Sequence, residues 1–130
     1  IHDSFDKDCP FCQIQKNGKI LHRNEHALAF PDKFPVSTGH TLIIPERHVS
    51  DYFELSQHEL VACHDLIRFI QRSLQEEDPE IKGFNIGLNN GEVAGQSIAH
   101  LHFHLIPRRK GDTPRPLGGV RGVIPGKMGY

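Results

Sequence analysis

Three histidines at alternate positions, His100, His102 and His104, are the residues of this chain best suited to chemistry. They are interleaved with Leu101, Phe103 and Leu105, and Ile106 closes the run. Side chains of a β-strand repeat with period two. The run therefore predicts a strand with three imidazoles on one face and an apolar, core-facing set on the other. A row of imidazoles on a fixed strand suits metal binding, or acid–base and nucleophilic chemistry near neutral pH. The loop Gly91 to Ala99 precedes the run and brings Gln96 and Ser97 as donors, while Arg108, Arg109 and Lys110 follow it. Donors and positive charge converging on nucleophilic imidazoles are what phosphoryl chemistry requires.

A second group is Cys9-Pro10-Phe11-Cys12, two thiols at a spacing that zinc uses. A closed site needs two further ligands, and His48 and His100 are the candidates. Two buried free thiols are the plainer alternative. A redox pair is disfavoured because no thioredoxin-like βαβ pattern follows. Cys63 lies on a helical apolar stripe and reads as core. His2, His22, His26, His58 and His64 read as surface residues.

These groups need elements to hold them. Residues 8–18 predict a short helix carrying the cysteines. Residues 20–24 and 26–30 predict two short strands, and Thr41 to Ile44 a third that ends at Pro45. Ser56 and Glu59 form a capping-box pattern at the start of one long helix. Leu60, Cys63, Ile67, Ile70 and Leu74 give that helix its apolar stripe, and Asp78-Pro79 stops it. Phe84, Ile86 and Leu88 alternate with Asn85, Gly87 and Asn89 in a further strand. From Gly111 onward glycine and proline dominate, and no long element is expected. The order predicts an α+β domain: a largely antiparallel sheet of about five strands, the long helix on one face, a short N-terminal helix, and the histidines on the opposite face.

The 130 residues fit one domain, with residues 8–110 as its core and 111–130 as a basic, Gly/Pro-rich tail. Fifteen Lys and Arg against sixteen Asp and Glu argue against a general nucleic-acid surface. From Arg108 onward, however, six basic residues face one acid. Three cysteines do not make a disulfide framework. With no apolar run long enough to span a membrane and no recognisable signal peptide, the expected location is cytoplasmic.

The triad with Gln96-Ser97 upstream resembles the signature of the histidine triad (HIT) family of nucleotide hydrolases and transferases. Ala29-Phe30-Pro31-Asp32, Gly39-His40-Thr41-Leu42-Ile43-Ile44-Pro45 and Asn89-Asn90-Gly91 resemble further family blocks in the same order. The tail segment Gly119 to Pro125 looks like those of a branch resembling diadenosine polyphosphate hydrolases.

The resemblance implies nucleotidyl transfer to histidine and then to water. His102 matches the nucleophile that attacks the α-phosphate, and the His100 carbonyl matches the group that fixes its tautomer. His104 and His40 match the other phosphate-side histidines, with Gln96, Ser97 and Asn89 as phosphate contacts and Ser97 also assisting the leaving group. Asp32 matches the acceptor of the ribose hydroxyls; Phe11 and Leu42 match base-pocket positions. In a zinc-bearing subset, the CxxC pairs with the positions of His48 and His100, a closed Cys2His2 set and hence a structural ion, with no organic cofactor. The family also implies a homodimer through the long helix and an adjacent strand. The helix agrees with this, since Val61, Leu66 and Phe69 add apolar surface beyond one stripe. The substrate the resemblance implies is a nucleotide conjugate, either a dinucleoside polyphosphate or a nucleoside phosphoramidate, and nothing in the sequence reads the base. Two other classes compete: a metallohydrolase with the histidine row as its metal site, and a non-catalytic nucleotide-binding scaffold.

Overall fold

Short apolar runs separated by turns build a single antiparallel sheet in the computed structural model, which describes residues 5–130. Its strands are β1 (His22–Arg23), β2 (Ala27–Pro31), β3 (Thr41–Pro45), β4 (Ile81–Leu88) and β5 (Phe103–Arg109). They lie in the order β1-β2-β3-β5-β4, so β4 is an edge and β5 sits inside. β5 pairs with β3 from Thr41↔Leu105 to Ile43↔Phe103, and with β4 from Ile81↔Arg109 to Leu88↔Phe103.

The long helix α2 (Gln57–Glu77) starts where the capping pattern predicts. The Ser56 hydroxyl accepts from the Glu59 N–H, and the Glu59 carboxylate accepts from the Ser56 N–H. Glu59 also accepts two bonds from Arg47, both 2.8 Å, which ties the turn after β3 to the helix start. The short helix α1 (Pro10–Asn17) has Cys9 at its N-cap, and its first helical residue is Pro10, whose missing N–H costs nothing there.

The two sheet faces bury different partners. Ala27, Ala29, Ile43, Leu101, Phe103 and Leu105 pack against Ala62, Cys63, Leu66 and Ile70 of α2. Leu28, Phe30, Leu42 and Ile44, on the other face, pack against Cys9, Phe11 and Cys12 at α1. The histidines share this second face, as the alternation predicts.

Two sequence expectations shift. The α2 stripe is centred on Leu66, 1% exposed, whereas Leu60 is 38% exposed. Positions 62, 66 and 70 lie on one line of the helix, and Leu60 falls beside it. Leu66→Ala would cost about 2–5 kcal/mol, because the sheet below cannot close over the gap. The second shift is in the triad strand, whose ladder begins only at Phe103. Both neighbours' pairing ends there, at Ile43 and Leu88, and the Leu101 N–H bonds instead to the Val49 carbonyl. The face alternation nevertheless persists through this extended lead-in. His22, His26, His58 and His64 are exposed as expected, and His2 lies outside the described residues. No helix among the described residues is long and apolar enough to cross a membrane.

Candidate active site and metal centre

Each triad histidine has a separate environment, and fixed hydrogen-bond partners assign its tautomer. The His102 ring is buried with Nδ1 2.9 Å from the His100 carbonyl oxygen. A carbonyl can only accept, so Nδ1 carries the proton and Nε2 keeps a free lone pair. The Phe11 ring meets the His102 ring edge-on at 5.0 Å and limits its rotation. His102 thus presents the lone pair of Nε2 on the side of the ring away from the His100 carbonyl.

The same logic runs through His40. The Val36 N–H donates to His40 Nδ1 at 3.1 Å, so neutral His40 carries its proton on Nε2. That nitrogen is 2.9 Å from His104 Nδ1 and 3.3 Å from a carboxylate oxygen of Asp32. His104 Nδ1 therefore accepts, and its own proton sits on Nε2, where it can be donated outward. Burial holds both His40 and His104 below the ordinary imidazole range, so both are neutral at pH 7; Asp32 opposes this at each. Asp32, His40 and His104 also form a three-donor group with ligand atoms within 4.8 Å of one another. Their spacing is that of the hydrogen-bonded chain just described.

The expected contacts around this chain divide. Asp32 keeps one oxygen near His40, while its other oxygen accepts from the Phe34 N–H at 2.9 Å. Ser97 is exposed beside the triad lead-in. The Gln96 amide is engaged within its loop: it accepts from the Gly91 N–H and donates to the carbonyls of Ser50 and Ile98. It braces the loop that carries Ser97. Asn89 is half-buried and lies under the Gly95 turn. Phe11 and Leu42 are buried in the apolar cluster on the histidine face, with Phe11 and Phe30 edge-to-face at 5.3 Å.

Four donors meet behind the triad. His100 Nε2 is 2.8 Å from the Pro45 carbonyl, so it carries the proton and Nδ1 is the free donor. That Nδ1 lies 3.6 Å from Cys9 Sγ and 3.5 Å from Cys12 Sγ, and His48 Nδ1 lies 3.3 Å from Cys12 Sγ. Burial brings the His100 ring down to about 4, so it stays neutral and able to ligate. Two sulfurs and two ring nitrogens with mutual spacings of this size fit the first shell of a tetrahedral zinc ion, whose bonds are about 2.0–2.3 Å. The backbone carbonyl that orients His100 is the kind of outer contact such ligands have.

Sequence reasoning overlooked three supporting groups: the Val36 N–H, the Pro45 carbonyl and the Arg47–Glu59 pair. The first two are backbone atoms with no sequence signature. The third could have been suspected from Arg47 lying next to His48, with Glu59 already committed to a cap.

Comparison with known proteins agrees with this geometry. Residues 13–111 match the model of the HIT domain. An uncharacterised HIT-like protein of Methanocaldococcus jannaschii is 39% identical over 108 residues, 80% of this chain and 81% of that protein. The adenosine 5'-monophosphoramidase hnt1 of Schizosaccharomyces pombe is 38% identical, over 77% of this chain and 74% of the relative. The asymmetrical bis(5'-nucleosyl)-tetraphosphatase of the same organism is 32% identical, over 82% of this chain and 58% of the relative. Among solved structures, a zinc-bound histidine triad family protein of Mycobacterium smegmatis superimposes with a TM-score of 0.74 at 31% identity, over 82% of this chain and 78% of the other. With its triad, its five-stranded sheet and this match over most of its length, the chain belongs to the HIT family.

Proposed function

We propose that this protein is a nucleotide hydrolase that cleaves at the α-phosphate of a nucleotide conjugate through a covalent nucleotidyl-His102. The observation that carries the reading is the bond from His102 Nδ1 to the His100 carbonyl, which leaves Nε2 as a fixed, unprotonated nucleophile. Nε2 forms a bond to the α-phosphorus, and the bond from phosphorus to the leaving oxygen or nitrogen breaks with its electron pair. The leaving group takes up a proton, for which the Ser97 hydroxyl is the nearby donor. Water then displaces His102, releasing the nucleoside monophosphate. His104 donates from Nε2 to a phosphoryl oxygen, stabilising the charge that builds up on it. Gln96 holds Ser97 in place, Asn89 lies on the phosphate side, and Asp32 keeps acceptor capacity for the ribose hydroxyls. Phe11 and Leu42 back the nucleoside side of the site.

The names of two relatives, a phosphoramidase and a dinucleoside tetraphosphatase, support P–N and phosphoanhydride conjugates as the substrate class. A metallohydrolase built on the histidine row is disfavoured. His100 faces the cysteines, His102 bonds a carbonyl and His104 bonds His40, so the three rings do not converge on one ion. The zinc reading is kept for Cys9, Cys12, His48 and His100, where the ion would anchor α1 to the lead-in of β5.

A second copy of the chain is proposed as the protein partner. β4 is an edge strand, and Ile86 on it is 52% exposed. Beside it, Phe53 and Leu60 complete an apolar groove of about 360 Å³ between β4 and α2. Pairing this surface across a two-fold axis would cover both edge and groove.

The test of function is a panel assay of purified protein against dinucleoside polyphosphates and nucleoside phosphoramidates, with products separated by chromatography. Nucleoside monophosphate is the expected product. Nucleotide binding without any turnover would instead favour the non-catalytic scaffold.

A further inference from the structure

His104 can donate outward only while its proton sits on Nε2, and the place of that proton is decided one hydrogen bond away, at His40. Neutral His40 has one ring proton. On Nε2 it is shared with His104 Nδ1 at 2.9 Å, so His104 keeps its own proton on the outward nitrogen. On Nδ1 it would leave two lone pairs facing each other across that contact, unless His104 moved its proton inward and lost its outward donor. Two groups select the first arrangement. The Asp32 carboxylate acts on His40 Nε2 from 3.3 Å. The Val36 N–H donates to His40 Nδ1 at 3.1 Å and so excludes a proton there.

Val36 belongs to a loop, 33–39, whose own apolar side chains do not hold it down. Phe34 is 79% exposed and Val36 71%. The neighbouring ladder has run out as well. β3 pairs with β5 only as far as Thr41↔Leu105, and Gly39 turns the chain with φ 97°. A Cβ on Gly39 would come within 3.2 Å of the Pro107 ring, so the loop passes close against β5 where the ladder no longer bonds it.

Two side chains replace the missing rungs. The Ser37 hydroxyl donates to the Pro107 carbonyl at 2.7 Å. Arg109 donates to the Thr38 carbonyl at 3.0 Å, and it is itself fixed by one Asp78 carboxylate oxygen at 2.8 and 3.0 Å. Asp78 is the C-cap of α2, and its other oxygen accepts from the Glu80 N–H, so this anchor belongs to the helix end rather than to the loop. The His40 N–H donates to the Ser37 carbonyl at 3.1 Å, which carries the position of Ser37 directly to His40.

We infer that Ser37 and Arg109 are positioning residues of this site: they pin residues 36–38 to the end of β5, so that the Val36 N–H holds His40, and through it His104, in the tautomer that donates outward. This rests on the proposed role of His104 as donor to a phosphoryl oxygen, and it asks neither Ser37 nor Arg109 to touch the substrate. Asp32 still favours the same tautomer when the pin is lost, so the effect is partial. Removing a donor from developing charge costs about a hundredfold or more in kcat, and removing the pin should cost at least about fivefold.

The test uses the full chain with Ser37→Ala and, separately, Arg109→Gln, each checked for its fold by circular dichroism. Turnover is measured with a nucleoside 5'-phosphoramidate, and the ring nitrogens of nitrogen-labelled histidine are observed by NMR. In wild-type protein His40 Nδ1 should give the signal of an unprotonated nitrogen and His104 Nε2 that of a protonated one. Both variants should move these signals toward the opposite tautomer and lower kcat while KM changes little. Ser37→Thr, which restores the hydroxyl, should return both readouts. Should Arg109→Gln fail to fold, Ser37→Ala decides, since it removes a single hydroxyl. Unmoved nitrogen signals, or a kcat within about twofold of wild type, overturn the inference even if the variants melt earlier, because a merely structural tie predicts that result; the reading of His102 then still stands on its adduct. If wild-type protein turns over no nucleotide conjugate, the reading of His102 falls, and the nitrogen signals alone decide for or against the pin.

Discussion

His100 and His102 are joined by a single hydrogen bond that serves two sites: the His100 carbonyl accepts from His102 Nδ1 at 2.9 Å, while the His100 ring is turned to the two cysteine sulfurs. One residue therefore contributes its side chain to the proposed metal centre and its backbone to the proposed nucleophile. The order of these two roles follows from chain geometry. Rings at 100 and 102 share a face, and the carbonyl between them reaches the next imidazole.

This connection predicts a particular pattern for Cys12→Ser. Purified wild-type protein should carry about one zinc per chain, and the variant close to none. The melting temperature should fall by at least about 5 °C, because α1 loses its anchor to β5. The value of kcat per folded molecule should fall less than tenfold, since the Pro45 carbonyl still orients His100. Elemental analysis and calorimetry check the first two points. Wild-type protein free of zinc after purification without chelators would remove the metal centre from the account.

The Arg47–Glu59 pair makes stability depend on pH. Two Arg47 bonds and the cap hold the Glu59 carboxyl at about 2, below the ordinary carboxylate range. A depressed acid stabilises the fold fully above its unfolded value, about 4.3, and the effect is lost as pH falls through the folded value. Glu59→Gln should therefore cost about 1–3 kcal/mol at pH 7. Urea unfolding of both proteins should show that gap narrowing steadily below about pH 4.3. A gap that stays constant down to pH 3 would mean the ion pair contributes nothing of its own.

Light scattering at micromolar concentration should give close to twice the chain mass. Ile86→Asp puts a charge at the centre of the edge-strand groove and should shift the protein to monomer. Dimers that persist in this variant would assign the two-fold contact to another surface.

Much of this could be read from sequence, for physical reasons that differ by residue. The triad and its face were legible because alternation in an extended chain survives even where the ladder does not, as at His100 and Leu101. The start of α2 was legible because Ser56 and Glu59 satisfy each other locally. The Leu60 and Leu66 assignments exchanged places because a stripe drawn from spacing does not know which line of the helix the sheet will meet. The bracing bonds of Gln96 were not legible, since its partners Ser50 and Ile98 are carbonyls brought near only by folding.

The central claim is the covalent step at His102. Wild-type protein quenched in acid-free denaturant within seconds of mixing with substrate, digested and analysed by mass spectrometry, should carry one nucleotidyl group on the peptide containing His102. His102→Ala should lack the adduct, retain its fold by circular dichroism, and lose at least about a thousandfold in kcat, because alanine offers no nucleophile. An adduct on any other residue, or more than a tenth of wild-type kcat remaining in His102→Ala, would contradict the account.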